Sequence, residues 1–476
     1  MYEITLPVTR EVFWLLATLV GIIAFSFVIY AALPRQEGRD DEVNLKEVLG
    51  AKQLSDPLFA LLVILWIVLA MCLFGGLVAT IGKIAQLVIV GVETVEDKGA
   101  RFPLIQLAAL TATLGATVAL PFTVIRLRLT HEQTATATAS LFNQKITEAA
   151  ADLHAQRQVS KKVGVRKWET LWEDDIVRRN AAIDRLEGLV REEPQEAARV
   201  SRLLSVYVRE LSDEIPAQPA PDTEEVKQLQ EWARQLSIPR SDMQNAAQVL
   251  GRLAKIEGVK AATLAIDLRN TNLQAMDLSG LSYREALLSG AKLQRAKLTG
   301  AKLQGAILSY AELQQAHLGS SEMSGANLWD ANLQGAFLAD AELQGASLIR
   351  AKLQGTLLVG TNLQGIDLTS AELQGANLTI AELQGANLWN ISLDASTNLT
   401  HSVLSGASAR YVDFSAIPEI ANHVDDLFGD DTTKLPKDIT RPETWPRDNL
   451  SQKDYTAQWR AFAASKGVDI PEQSFD

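Results

Sequence analysis

AELQGANLTIAELQGANLWN, residues 371–390, sets a small residue, a polar residue and a leucine in order and repeats them every five positions. Leucine recurs at this interval at 273, 278, 288, 293, 298, 303, 308, 313 and 318, and again from Leu328 to Leu393. Ala291, Ala296, Ala301 and Ala306 each stand two residues before a leucine. A helix of about 3.6 residues per turn cannot keep such a period on one face, and neither can a strand of period 2. A short fixed period means a solenoid, in which each repeat buries its apolar side chain against its neighbours.

The unit A-(N/D/E/K)-L-Q/x-G/x, as in Ala326-Asn327-Leu328, resembles the pentapeptide-repeat family over about thirty consecutive units. That resemblance implies a right-handed, four-sided parallel β-helix with four pentapeptides per coil. Leucines and the small residues two before them point inward, and the other positions point out. About seven coils at roughly 4.8 Å each make about 35 Å of stacked strands. Tyr283 and Met323 replace leucine as larger fillers, and one extra residue breaks the register between Leu393 and Leu399. The break reads as a bulge or loop, with Phe414 as a plug at the C-terminal end.

Glutamine follows leucine with a second period of ten, which is half a coil. One expected ladder is Gln294, Gln314, Gln334, Gln354 and Gln374; the other is Gln304, Gln344, Gln364 and Gln384, with Ser324 in the gap. Two readings stand: amide-to-amide hydrogen bonds between coils, with glycine at a corner that needs positive φ, or a polar docking surface for a protein partner.

The front of the chain is apolar. Residues 12–33, 58–82 and 102–125 are long enough to cross a bilayer, so three transmembrane helices are expected within 1–125. Arg35, Arg39, Lys46 and Lys52 in the first loop, and Arg126 and Arg128 after the third span, favour an outside N-terminus and a cytoplasmic C-terminal part in a bacterial inner membrane. Apart from Lys83 the spans carry no charge, unlike a pump or transporter. The third span places Ala108, Ala112, Ala116 and Ala119 on one face with Gly115 beside them, a stripe suited to packing among the spans or to self-association of chains. Pro121 is expected to kink this helix.

Amphipathic helical spacing predicts a cytoplasmic helical domain at 126–212. A Pro-rich, acidic linker and two helices at 213–265 lead into the solenoid at 266–415, with Ser241 the expected N-cap of the second helix. An acidic tail follows at 416–476, where Ser451 and Asp454 resemble a capping box before a short helix. The tail is expected to fold back over the solenoid's end. RLRLTHEQTATATASLFNQ at 126–144, VRRNAAIDRLEGLVREEP at 177–194, LLSVYVREL at 203–211, PRSDMQNAAQVLGRL at 239–253 and LFGDDTTKLPKDITRPETWP at 427–446 resemble a group of bacterial membrane pentapeptide-repeat proteins. The likeness lapses between Gln156 and Asp175, and it implies architecture without a reaction.

Chemistry is sparse. Cys72 is the single cysteine, and His131, His154, His317, His401 and His423 show no metal spacing. Acid pairs at Asp174-Asp175, Asp425-Asp426 and Asp430-Asp431 read as solvated or capping residues. No catalytic, cofactor or metal residue is expected, and the chain reads as a non-enzyme. The net charge of −12 is spread out. About three of these negatives lie before Arg126, about four in the repeats and about five in the tail, so nucleic-acid mimicry and nucleic-acid binding are disfavoured. The expectation is a membrane-anchored scaffold or sensor whose partners are the bilayer, a protein on the β-helix and, in some arrangements, a second copy. The alternative is a membrane effector whose spans form a pore.

Overall fold

A computed structural model describes residues 55–89, 98–162, 168–448 and 450–470. The first expected span, 12–33, lies outside the described residues. The chain divides into two compact units, Met1–Leu141 and Phe142–Asp476.

In the first unit, helix α1 spans Asp56–Ile89 and helix α2 begins at Lys98 and ends at Asp152. Two helical stretches contain a window of eighteen residues apolar enough to cross a membrane, with a mean hydropathy of 2.9 within Pro57–Gln86 and 1.7 within Phe102–Asp152. The indole Nε1 of Trp66 donates to the Thr117 carbonyl at 3.2 Å, and the Leu110 side chain approaches Gly76, so the two helices pair antiparallel. Threonine hydroxyls satisfy themselves one turn back, Thr113 on Ala109 at 2.7 Å and Thr123 on Ala119 at 2.8 Å, as hydroxyls in an apolar helix must. The boundary expected at 125/126 falls within α2, which runs on through Pro121 as one helix.

The second unit opens with the last turns of α2, whose Ile146 joins a shared core together with Leu153 just after the helix. Residues 156–174 depart from the expected helical reading. They form an antiparallel hairpin of β1, Gln156–Lys162, and β2, Trp168–Asp174, in register from Gln156 opposite Asp174 to Lys162 opposite Trp168. Val159, Trp168, Thr170 and Trp172 are residue types that favour a pleated surface, and the last three alternate at a period of two. Helix α3, Ile176–Glu192, is capped by Asp175, whose side chain accepts from the Arg178 amide at 3.1 Å. Helices α4, Ala197–Glu214, and α6, Ser241–Leu253, pack against α3 through Ile183, Leu186, Val200, Leu204, Ala246 and Leu250. The N-cap of α6 is Arg240 and not Ser241, which lies inside the helix; no side chain caps it. Between them stands helix α5, Val226–Gln235.

The repeats form a four-sided parallel ladder. Bridges join residues twenty apart, from Asp267 with Leu287 to Glu372 with Ser392. Leu343 donates its amide to Asn362 above at 2.8 Å, and Glu342 donates to Ser321 below at 2.9 Å, so interior coils leave no ladder group unpaired along this side. The leucines and alanines of the bore are buried, Met323 and Tyr283 among them. Each corner needs positive φ. Gly345 supplies it at 62°, but Asn270 (58°) and Ile380 (60°) also adopt it, at about 1–2 kcal/mol each for a side chain with a Cβ.

The solenoid's first coil would expose a free strand edge. Helix α4 closes part of it with hydroxyls. Ser205 accepts from the Asp267 amide at 3.2 Å and Ser212 from the Asn272 amide at 3.0 Å. From α6, the Gly251 carbonyl accepts from the Ser282 amide at 3.0 Å, and the Ala247 carbonyl takes the Tyr283 hydroxyl at 2.8 Å. Gly251 has no room for a side chain, since a Cβ would meet Leu281 at 2.6 Å.

At the other end the extra residue shifts the step to twenty-one, Asn377 with Asn398 and Glu382 with Val403. Asp394 fills the gap: its carboxylate accepts from the Gly375 amide at 3.0 Å, where Gly355 uses the Gln374 carbonyl. The ladder also passes the expected limit at 415. Strand β3, Ala407–Ser408, pairs parallel with β4, Leu427–Phe428, and Asp413 bridges Lys434. Helix α7, Gln452–Ser465, is capped by Ser451, which accepts from the Asp454 amide at 3.2 Å. Trp459 of α7 donates to the Gly406 carbonyl at 2.7 Å, and Tyr455 to the Phe428 carbonyl at 2.9 Å.

Candidate functional site

Twenty residues per coil sort the outward side chains into four faces, and the two glutamine ladders fall on opposite ones. Their surroundings differ. Gln294, Gln314, Gln334 and Gln354 are buried and Gln374 half-buried. The stretch read as a linker lies over this face. Gln218 donates its amide to Gln274 Oε1 at 2.9 Å, and Gln274 Nε2 donates back to the Gln218 carbonyl at 2.8 Å. A side chain added at Gly335 or Gly355 would collide with Val226. Helix α5 then turns back, and Arg295 donates to the carbonyls of Arg234 at 3.0 Å and Leu236 at 2.7 Å. Segment 216–236 is therefore a strap, and along four coils the ladder expected to face a partner faces the chain itself. The apolar spacing of Val226, Leu229, Ala233 and Leu236 was the available signal, and Leu229, Ala233 and Leu236 are buried.

The opposite ladder is open from Gln304 to Gln364, and at its far end Val468 and Ile470 cover Gly385 beside Gln384. Gln304, Gln344 and Gln384 are half-buried and Gln364 is exposed. Amide-to-amide stacking is not its main bond. Gln304 donates to Glu322, Gln344 to Glu342 and Gln364 to Glu382, the last at 2.8 Å, while Ser324 donates to Gln344 Oε1 at 2.8 Å. The covered ladder uses the same device, Gln294 on Glu312 and Gln354 on Glu372, with one amide-to-amide bond from Gln274 to Gln294 at 3.1 Å. A carboxylate is the stronger acceptor, so glutamine turns to a neighbouring acid, of the next coil in every case but Gln344, which bonds Glu342 of its own coil.

The other two faces carry aromatic pairs. Tyr310 lies 5.5 Å from Trp329, and His317 stacks on Phe337 at 4.9 Å. Partial burial, with Lys297 and Arg295 nearby, holds the His317 pKa below the usual imidazole value.

The acid pairs are not uniform. Asp175 caps α3, and Asp426 pairs with Lys466 at 2.8 Å. Asp430 is fully buried rather than solvated and pairs with Arg410 at 2.9 Å. The Arg410 guanidinium also lies over the rings of Tyr455, Tyr411 and Trp389 at 4.9, 5.1 and 5.6 Å, and donates to the Leu450 carbonyl at 2.6 Å. A second charged network, Asp174 with Arg179 and Arg240, and Asp242 with Arg240 and the Tyr207 hydroxyl at 2.7 Å, ties the hairpin base to α4 and α6.

In the first unit Ala108, Ala112, Gly115, Ala116 and Ala119 are exposed, and a side chain at Gly115 would meet nothing within 4 Å. The contacts to α1 run through Leu110 and Thr117, so the small-residue stripe does not pack the two described helices together. Among the described residues no group of His, Cys, Asp and Glu is placed to hold a metal ion.

A family model described as pentapeptide repeats matches in overlapping segments, residues 266–305, 286–325, 321–358 and 352–390. Among solved structures, HetL, a pentapeptide repeat protein involved in heterocyst differentiation regulation from the cyanobacterium Nostoc sp. strain PCC 7120, is 31% identical over 36% of this chain and 76% of its own, with a TM-score of 0.30. Rfr23, a pentapeptide repeat protein from the cyanobacterium Cyanothece 51142, is 32% identical over 24% of this chain and 65% of its own, TM-score 0.19. QnrB1, a plasmid-mediated fluoroquinolone resistance protein, is 17% identical over 44% and 88%, TM-score 0.20. No curated protein sequence matches the chain. Such repeat proteins are generally non-catalytic interaction modules, and their repeats imply a right-handed β-helix. Through the repeats of residues 266–390, the chain belongs to the pentapeptide-repeat family.

Proposed function

We propose that the protein is a non-catalytic scaffold or sensor, anchored by its apolar helices in a bacterial inner membrane with the repeat domain on the cytoplasmic side. The observation that carries this reading is the contrast between the two ladders. The chain covers one glutamine ladder with its own strap and leaves the other open from Gln304 to Gln364, while Val468 and Ile470 cover the corner beside Gln384. The amide nitrogens of Gln304, Gln344 and Gln364 are already held by Glu322, Glu342 and Glu382, so the open face is pre-organised and loses little freedom on docking a partner. Membrane anchoring is supported by the length and composition of Pro57–Gln86 and of the apolar part of α2, and by the arginines that follow residue 125.

The test is affinity purification of the detergent-solubilised protein with mass spectrometry, run beside Gln344→Arg/Gln364→Arg. A partner held by wild type and lost from this variant supports the open face. A partner retained by the variant sends the interaction elsewhere. Ion flux from wild-type protein in liposomes would replace the scaffold reading with a pore-forming one.

A further inference from the structure

The strap climbs the covered face from Gln274 to Gly355 and turns back at the start of α5. Beyond that turn the glutamine ladder continues, and a groove of about 600 Å³ opens, lined by Glu224, Val226, Gln354, Glu372, Gln374 and Asp394 among others. Three of these are carboxylates, and among the described residues no lysine or arginine lines the groove. Lys352, one coil below Glu372 on the same face, is exposed. Gln354 is only 8% exposed and donates its amide nitrogen to Glu372, and among the described residues the amide oxygens of Gln354 and Gln374 have no hydrogen-bond partner.

The covered part of the face shows how this ladder reads a polypeptide. Gln274 exchanges two hydrogen bonds with the backbone of Gln218, one to its N–H and one from its carbonyl. An amide side chain that both donates and accepts holds an extended backbone of any sequence. Charge then selects the side chains, and here the selection is for cations. We propose that this groove binds an extended, basic segment of a partner protein, with lysine or arginine placed among Glu224, Glu372 and Asp394 and the backbone following the ladder where the strap stops. The site is separate from the open glutamine face and does not depend on it.

The test uses the full chain in a neutral detergent and a fluorescein-labelled octapeptide of alternating alanine and arginine, read by fluorescence anisotropy. Glu224→Gln/Glu372→Gln should weaken binding about tenfold, because two charges at the contact are lost. Glu257→Gln/Asp340→Asn removes two exposed acids that do not line the groove, and it should stay within about twofold of wild type. Replacing arginine by citrulline in the peptide should abolish binding. Absence of binding to wild type, or equal weakening in both variant pairs, overturns the proposal. So does displacement of the peptide by spermine at equal concentration, which would mark a site for small polycations instead.

Discussion

The Arg410–Asp430 pair tests how the last coils are held. Both side chains are buried, 4% and 0% exposed, so removing one leaves the other charge in a dry site. Arg410→Met leaves the Asp430 carboxylate buried without its countercharge, held only by the Thr432 amide and hydroxyl, and should cost about 3–5 kcal/mol, the range for breaking a buried pair from one side. Asp430→Asn should cost less, about 2–3 kcal/mol, because Arg410 keeps the Leu450 carbonyl and three aromatic rings. The double variant should fall short of the sum by about 1–3 kcal/mol, since the second change removes a charge already stranded. A solenoid opens coil by coil, so a global melting curve is the wrong readout. Hydrogen exchange reads the local opening. The Ala409 amide, bonded to the Phe428 carbonyl at 2.8 Å, and the Lys434 amide, bonded to Val412 at 2.9 Å, should exchange about 10²–10⁴-fold faster in Arg410→Met. The Leu298 amide, several coils away, should be unchanged, because coils couple only to neighbours. Exchange at Ala409 and Lys434 within about threefold of wild type would refute the reasoning, since it would mean that the buried pair does not hold these coils together.

Leu343→Lys puts an unpaired charge in the bore where Leu343 is fully buried, at a cost of several kcal/mol, and should make the repeat domain protease-sensitive, whereas Gln344→Ala, on the open face, should be mild; equal resistance of the two variants contradicts the inward and outward assignment. Asp413 is held down at about 2 by hydrogen bonds from Ser415 and by Lys434. Its folded pKa lies below the unfolded value, so its stabilisation is full above about pH 4 and vanishes as pH falls through about 2. Solvent screening of this half-exposed pair keeps the effect to about 1 kcal/mol or less. Wild type and Asp413→Asn should therefore differ in exchange at the Lys434 amide at neutral pH and converge near pH 2, and a difference that grows on acidification would contradict the assignment.

The five-residue period alone determined the bore. Leucine and alanine at fixed offsets can be buried together only in a coil whose side is one pentapeptide long, so which residues point inward is a local property of the string. The register break was also legible, because one inserted residue displaces every later leucine. Other features depended on contacts between distant residues. The two glutamine ladders look alike in sequence apart from Ser324, and only the path of residues 216–236 buries one and leaves the other open from Gln304 to Gln364. The 156–174 hairpin was not visible because its strands satisfy each other's backbone and bury little apolar surface, so the pattern carries no sustained hydrophobic period. Asp430 looked like one acid in a solvated run, yet Arg410, twenty positions earlier and so one coil below, together with the aromatic rings around it, takes it out of water. The same holds for Ser205 and Ser212, ordinary polar positions on a helix until the first coil's unpaired amides are set against them. Local periodicity specifies what repeats along the chain, and the sites that distinguish one face or one end from another arise where non-repeating segments meet the ladder.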